Sequence, residues 1–252
     1  MSTIALVGSG VTTTGLVLAA MSPSDRAVVF AECDPSGGDL AAWAELRETP
    51  GWSTAVASGD RSWRGLRSHL QQLPSGLNVL LAPTLAGQAD VVVREAAHRF
   101  GSMLRSLSEV TVIADCGRMD AEPPVWTEAA DLVLLVVRQA PSSAGATVAR
   151  VDRAREALSV LATRRVRVAT LLIGVRPYPP GQLAEVLGGD VFGVLPEDPV
   201  GAGLASGAWT VGRGAGRSTL ARAARPLAAA LANGVSGSVV ALPQDAESDV
   251  AG

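Results

Sequence analysis

Three short stretches of this 252-residue chain carry side chains suited to chemistry, and each follows an apolar run. They are Gly8-Ser9-Gly10-Val11-Thr12-Thr13-Thr14-Gly15, Glu32-Cys33-Asp34-Pro35-Ser36-Gly37-Gly38 and Asp115-Cys116-Gly117-Arg118. A turn of glycines and hydroxyls leading into a helix presents backbone N–H groups and the positive end of a helix dipole, which suits a phosphate. Carboxylates at two other strand ends are the oxygen ligands that Mg²⁺ takes, directly or through water, beside such a phosphate. The plainer reading makes the first stretch an ordinary strand-to-helix turn and makes Asp34 and Asp115 turn or cap residues. Glu32 fits that reading less easily, because an acid at the end of an apolar strand needs a partner or solvent.

The elements that must position these groups are legible from hydropathy. Candidate strands are Thr3–Val7, Ala27–Ala31, Asn78–Ala82, Val110–Asp115, Leu132–Val137, Val168–Ile173 and Val191–Val194. They are nearly continuous in apolar residues and alternate with helical patterns. One such pattern is 142–162, where Val148, Val151, Leu158 and Leu161 form a stripe, and another is 218–233, with Ser218 as N-cap and Leu220, Ala224, Leu227 and Leu231 on one face. Pro226 argues for a bend in that last helix. The alternation predicts an α/β fold: a doubly wound, mostly parallel sheet with helices on both faces. Such sheets bind ligands beyond the carboxyl ends of their strands, where all three stretches lie.

These residues, taken as an ordered set, resemble the MinD/ParA-like branch of P-loop nucleotide-binding proteins. Its members look like a strand, a Lys-Gly-Gly-Val-Gly-Lys-Thr-Thr loop, a second strand ending in Asp-x-Asp-Pro, and a later strand ending in Asp. The segments "GSGVTTTG", "AECDPSGGDL" and "VTVIADCG" match in order, and "LLIGVRPYPP" and "VFGVLPEDPVGAGLASG" resemble the closing strands with their Leu-Pro-x-Asp segment. The likeness covers residues 1–233 as one nucleotide-binding domain and leaves 234–252 as a disordered acidic tail. It implies ATP or ADP with Mg²⁺ as ligands. Gly10, Val11, Thr12, Thr13, Thr14 and Gly15 fall on the nucleotide-binding loop; Thr14, Glu32 and Asp115 fall on the metal-binding positions; Asp34 falls on the acid that positions the attacking water. The implied role is a switch or scaffold for chromosome partition, septum or pilus-assembly placement, in the manner of TadZ/CpaE-like or septum-site-determining members. Partner proteins and a homodimer come with that role.

The departures bear on catalysis. Thr13 holds the position of the phosphate-binding lysine, Gly8 that of the additional lysine near the loop's start, and Thr12 that of a glycine. All 21 basic residues are Arg, so no ammonium elsewhere in the chain replaces them. Losing one preorganised donor to a transferring phosphoryl group costs about 10²–10³ in rate. Hydrolysis is therefore expected to be weak or absent, with binding left to amides, hydroxyls and Mg²⁺. Of the arginines, Arg118, Arg138 and Arg176 follow or end strands on the ligand side and are candidates for a phosphate or base contact.

Several classes are argued against. The two cysteines, Cys33 and Cys116, are too few for a disulfide scaffold and read as buried fillers. No apolar run reaches the roughly 18–20 residues of a membrane span, and the first residues lack the basic region of a secretory signal. The chain is expected in the cytoplasm. The net charge of −3 and an acidic tail give no clear DNA-binding patch and no counterpart of a basic membrane-targeting helix. His69 and His98 lack metal-ligand partners in sequence, the arginines of 164–167 read as a solvated helix end, and the tryptophans 43, 52, 63, 126 and 209 read as core or interface residues. Two other functions compete: a nucleotide-independent interaction protein that keeps the sheet as a frame, and a dinucleotide-binding oxidoreductase, for which Gly8-Ser9-Gly10 and Glu32 are a partial fingerprint.

Overall fold

The computed structural model describes residues 2–23, 25–119, 122–164, 166–188, 191–205 and 218–234. Arg165, Trp209 and the acidic segment from 235 onward, expected to be disordered, lie outside them. Strands β1 (Thr3–Gly8), β2 (Ala27–Glu32), β3 (Gln71–Gln72), β4 (Asn78–Leu80), β5 (Val110–Asp115), β6 (Leu132–Arg138), β7 (Val168–Ile173) and β8 (Val191–Leu195) form one sheet. Its order is β3-β4-β2-β5-β1-β6-β7-β8. Neighbours are parallel except β3, which pairs antiparallel with β4 at the edge.

The connecting helices are α1 (Val11–Ala20), α2 (Leu40–Trp43), α3 (Trp52–Ser58), α4 (Trp63–Arg67), α5 (Ala86–Ser106), α6 (Ala144–Thr163), α7 (Pro180–Leu187), α8 (Pro199–Ala205) and α9 (Thr219–Ala232). They divide between the two faces, as continuous apolar strands require. Ala5, Val7, Ala114 and Leu135 pack against α3, α5, α6 and α7. Ile4, Leu6, Ile113 and Leu134, alternating with them, pack against α1 and α9. Under the first face, Trp52 stacks at a tilt on Trp126 and Phe100, with ring centroids 5.3 and 5.8 Å apart.

The predicted strands all form, within a residue or two at their ends, and β3 is an addition. Helix α9 runs through Pro226 without a break in its assignment, and Leu220, Ala224, Leu227 and Leu231 are all buried. Its cap is as read, with Ser218 Oγ accepting from the Ala221 N–H at 3.1 Å. Of the stripe expected on α6, Val151 and Leu161 are buried and Leu158 packs partly buried against the core, whereas Val148 is 46% exposed and Thr147, Ala154 and Ala157 complete the buried face. At position 148, side-chain size alone misreports which face is inward.

Sheet order excludes the dinucleotide-binding alternative. That fold sets its first strand beside its second, whereas here β5 lies between β2 and β1. The chain winds toward β4 after β1 and returns past it to β6, so the winding reverses at β1 and a crevice opens at its carboxyl end. At that end Gly15 is packed so closely that a Cβ would lie 2.7 Å from Phe30 Cε2. Gly15→Ala gains about 1 kcal/mol in helix propensity, yet overpacking against a buried ring is expected to leave it about 1–3 kcal/mol less stable. Denaturant melts check this, and Phe30→Leu in the same chain should recover part of the loss.

Candidate functional site

The loop between β1 and α1 is built by its glycines. Gly8 has φ +120°, and a Cβ there would lie 2.2 Å from the Val136 carbonyl oxygen. Its N–H donates to the Gly117 carbonyl at 2.9 Å, and the Ser9 N–H donates to Val136 O at 3.0 Å. Gly10, left-handed at φ 79°, caps α1. Its carbonyl accepts both the Thr14 N–H at 3.1 Å and the Thr14 hydroxyl at 2.7 Å. The N–H groups of Val11, Thr12 and Thr13 precede that first intrahelical bond, so they lack helical partners. They face out at the positive end of a ten-residue helix.

The acids lie on the β2 and β5 side of this helix start. Glu32 and Asp115 are register partners on adjacent strands and continue the rows of Phe30 and Ile113 toward the face that α1 covers. Both are buried. Glu32 Oε1 accepts from the Leu40 N–H at 2.7 Å and Oε2 from the Ala82 N–H at 3.1 Å. Burial pushes its carboxyl up to about 7, with the Asp115 charge adding to the rise and those amides opposing it. Burial likewise raises Asp115 to about 6, against hydrogen bonds from the Thr12 hydroxyl and the Gly117 N–H. Asp34, half-buried, accepts the Ser36 N–H at 2.7 Å, and its Oδ2 lies where a Cβ on Gly117 would be, 2.0 Å away. The Trp52 indole N–H donates to the Glu32 carbonyl at 2.8 Å and braces the end of β2 from the opposite face. Cys33 and Cys116 are buried free thiols there, both pushed well up by burial.

On the other side of the helix start a cavity of about 350 Å³ opens toward β6, β7 and β8. Gly10, Thr13 and Thr14 form its loop end; Ile173, Leu195 and Leu220 supply apolar walls, and Arg138 and Glu197 line it as an ion pair, Nε to Oε1 at 2.7 Å. Asp198, also at the wall, accepts the N–H of Gly201 at 2.8 Å and of Leu220 at 3.0 Å, tying the starts of α8 and α9 together. The structure thus gathers the loop, Asp34 and Asp115 around one helix start. Thr12 faces the acids, Thr13 and Thr14 face the cavity, while Val11 and Gly15 pack into the core.

The residue types suit Mg²⁺ only in company. Among the described residues no group of three or more His, Cys, Asp or Glu is arranged to hold a metal ion. Mg²⁺ commonly takes one or two carboxylates together with phosphate oxygens. Thr14 keeps lone pairs on its hydroxyl, and Asp34 keeps an oxygen without a hydrogen-bond donor among the described residues. The donor set therefore fits a phosphate-bridged ion. Sequence reading missed Glu197 and the tying role of Asp198, although the Leu-Pro-x-Asp segment that contains both was noted.

No protein-family model matches the chain, and no curated protein matches it in sequence. Its fold is that of solved MinD and ParA proteins. A ParA family ATPase from Chlorobium tepidum superposes with TM-score 0.69 at 16% identity, over 90% of this chain and 97% of that one. The septum site-determining protein MinD complexed with Mg-ADP from Pyrococcus horikoshii gives 0.66 at 15%, over 90% and 93%. The MinC:MinD cell division complex from Aquifex aeolicus gives 0.65 at 14%, over 97% and 99%. Likeness at these identities is one of fold, an α/β P-loop architecture of the MinD/ParA kind.

The two buried acids set a pH dependence of stability. Their folded values, about 7 and about 6, exceed the ordinary 4.5 and 3.8, so the folded chain holds protons that the unfolded chain releases. That contribution is complete below about pH 4 and is lost as pH rises through 6 and 7. Denaturant melts between about pH 5 and 8 should show Glu32→Ala losing less stability over the interval than the parent chain. The variant should be weaker at each pH, because the Leu40 and Ala82 amides lose their acceptor at roughly 1–3 kcal/mol apiece. Equal pH slopes for the two chains would contradict the assignment.

Proposed function

We propose that the chain binds ATP or ADP with Mg²⁺ at the carboxyl end of β1 and acts as a MinD/ParA-like positioning or partitioning switch or scaffold, with hydrolysis weak or absent. The observation that carries this reading is the pairing, at one helix start, of amides without a partner among the described residues with a cavity of about 350 Å³ on one side and carboxylates on the other. That volume lies within the range of small-molecule sites. The same fold holds Mg-ADP in the Pyrococcus horikoshii protein, which supports the ligand class.

In this reading the first-turn amides and the Thr13 hydroxyl meet phosphate oxygens, Thr14 and the carboxylates of Asp34 and Asp115 stand nearest to Mg²⁺, and Glu32 holds the loop that carries Leu40. Mg²⁺ when bound neutralises phosphate charge. Asp34 is the residue placed to orient water. Without an ammonium at Thr13, charge developing on the terminal phosphate is met less well than phosphate in the ground state, so binding outlasts turnover. A homodimer and partner proteins follow from the resemblance alone.

One observation favours the rival reading of a nucleotide-independent frame. Several of the site's polar groups already satisfy one another: Thr14 bonds Gly10, and Glu32 spends both oxygens on amides. Calorimetric titration with MgATP and MgADP separates the two. We expect saturable binding, turnover near background, and a gain on the order of 10²–10³ in turnover for Thr13→Lys, the size of one donor. Absence of heat and of competition at millimolar nucleotide would sink the nucleotide reading and leave the frame.

A further inference from the structure

Among the described residues, the cavity beside Thr13 has one cationic wall residue, Arg138. It ends β6 two positions after Val136, whose carbonyl holds the Ser9 N–H, so its backbone is registered directly to the loop. That backbone is braced: Arg150 Nη1 donates to the carbonyls of Arg138 and Gln139 at 2.9 and 3.0 Å. Gln139, buried, in turn bonds Gly174 and Tyr178 through its side chain. The Arg138 side chain is 53% exposed, and its guanidinium uses only Nε, toward Glu197. Among the described residues its two Nη groups make no hydrogen bond. Arg118 and Arg176 are exposed and do not line the cavity.

We propose that Arg138 is the phosphate-binding cation of this site, taking up the charge role that Thr13 leaves vacant, and that Glu197 is the counter-ion an incoming polyphosphate displaces. The proposal rests on reading the loop as a phosphate site. A guanidinium with a free Nη edge matches two phosphate oxygens at once. The pair it must leave is partly solvated, and such pairs contribute little, so exchanging Glu197 for a phosphate is easy. Glu197, once released, remains a negative wall group that opposes the same anion. Charge at this site thus comes from the far side of the cavity, on β6, and not from inside the loop.

The test is calorimetric titration of the full chain, at fixed ionic strength, with magnesium tripolyphosphate and with MgATP. Circular dichroism melts establish that each variant folds. Arg138→Gln should weaken both ligands about ten- to hundredfold, the loss of a charge-assisted hydrogen-bond pair. Glu197→Gln should tighten both several-fold, and Arg138→Lys should fall between parent and Arg138→Gln. If the parent binds MgATP and Arg138→Gln binds it equally well, the role of Arg138 is wrong while the nucleotide reading stands. Should Glu197→Gln weaken binding as much as Arg138→Gln, the pair is a brace and the proposal is overturned. Arg138-dependent binding of tripolyphosphate without any binding of MgATP keeps the proposal and removes the nucleotide. Failure of the parent to bind either ligand at millimolar concentration removes both.

Discussion

Everything at the carboxyl end of the sheet depends on how closely Gly8 approaches β6. A side chain at that position would drive a carbon to 2.2 Å from the Val136 carbonyl oxygen, and φ +120° is a conformation that L side chains rarely adopt. Because Gly8 complies, the chain turns off the sheet at once, and Ser9 bonds the same Val136 carbonyl while Gly8 bonds Gly117. The loop is thereby held between the ends of β5 and β6, at the point where winding reverses. Helix α1 then starts at Val11, low enough that Gly15 must lie against Phe30. Its open amides end up between the acids of β2 and β5 and the arginine of β6. A looser exit would lift the helix and separate all three.

Two buried acids without a nearby ammonium pose an electrostatic problem that the fold solves locally. Glu32 is held by amides from two separate segments, and Asp115 by the Gly117 amide, with the Thr12 hydroxyl favouring its charged form. These bonds oppose the cost of burial but do not cancel it, and both carboxyls stay displaced toward the protonated form. Thr12 has a part here that a glycine could not have. A side chain that looks like a departure from a phosphate-binding loop favours the charged form of a buried carboxyl on a neighbouring strand.

Much of this was legible in the sequence, for identifiable reasons. Strands buried on both faces leave continuous apolar runs, so β1, β2, β5, β6, β7 and β8 were found together with the side of the sheet where chemistry belongs. The glycines and acids at the strand ends were likewise legible as one ordered set. The direction each side chain takes was not. Nothing in "GVTTTG" says that Thr12 turns to Asp115, Thr13 to a cavity and Gly15 to a phenyl ring, since one residue of helix rotation decides each. Val148 fails for a related reason: its size suggested burial, but its neighbour Thr147 takes the inward position beside Val151 and Ala154. The Arg138–Glu197 pair joins residues 59 positions apart, a separation no local pattern reports.

The two absent lysines are not equivalent. At Gly8 the backbone itself forbids one, because the close contact with Val136 that seats the loop leaves no room for any Cβ. At Thr13 the backbone is ordinary helix and the side chain already points to a cavity. The first absence is therefore part of how this sheet is closed, and the second is a property of one side chain on an otherwise suitable frame. A positive charge behind the loop is incompatible with the exit of β1 as this chain makes it, whereas a positive charge in front of it is compatible, and Arg138 on the cavity wall carries one. On the proposed reading, affinity for an anion and the ability to stabilise charge developing on it would be set by different parts of the structure, the helix start with the β6 wall for the former and position 13 for the latter. On that reading turnover can be lost while the groups proposed to seat a phosphate stay in place.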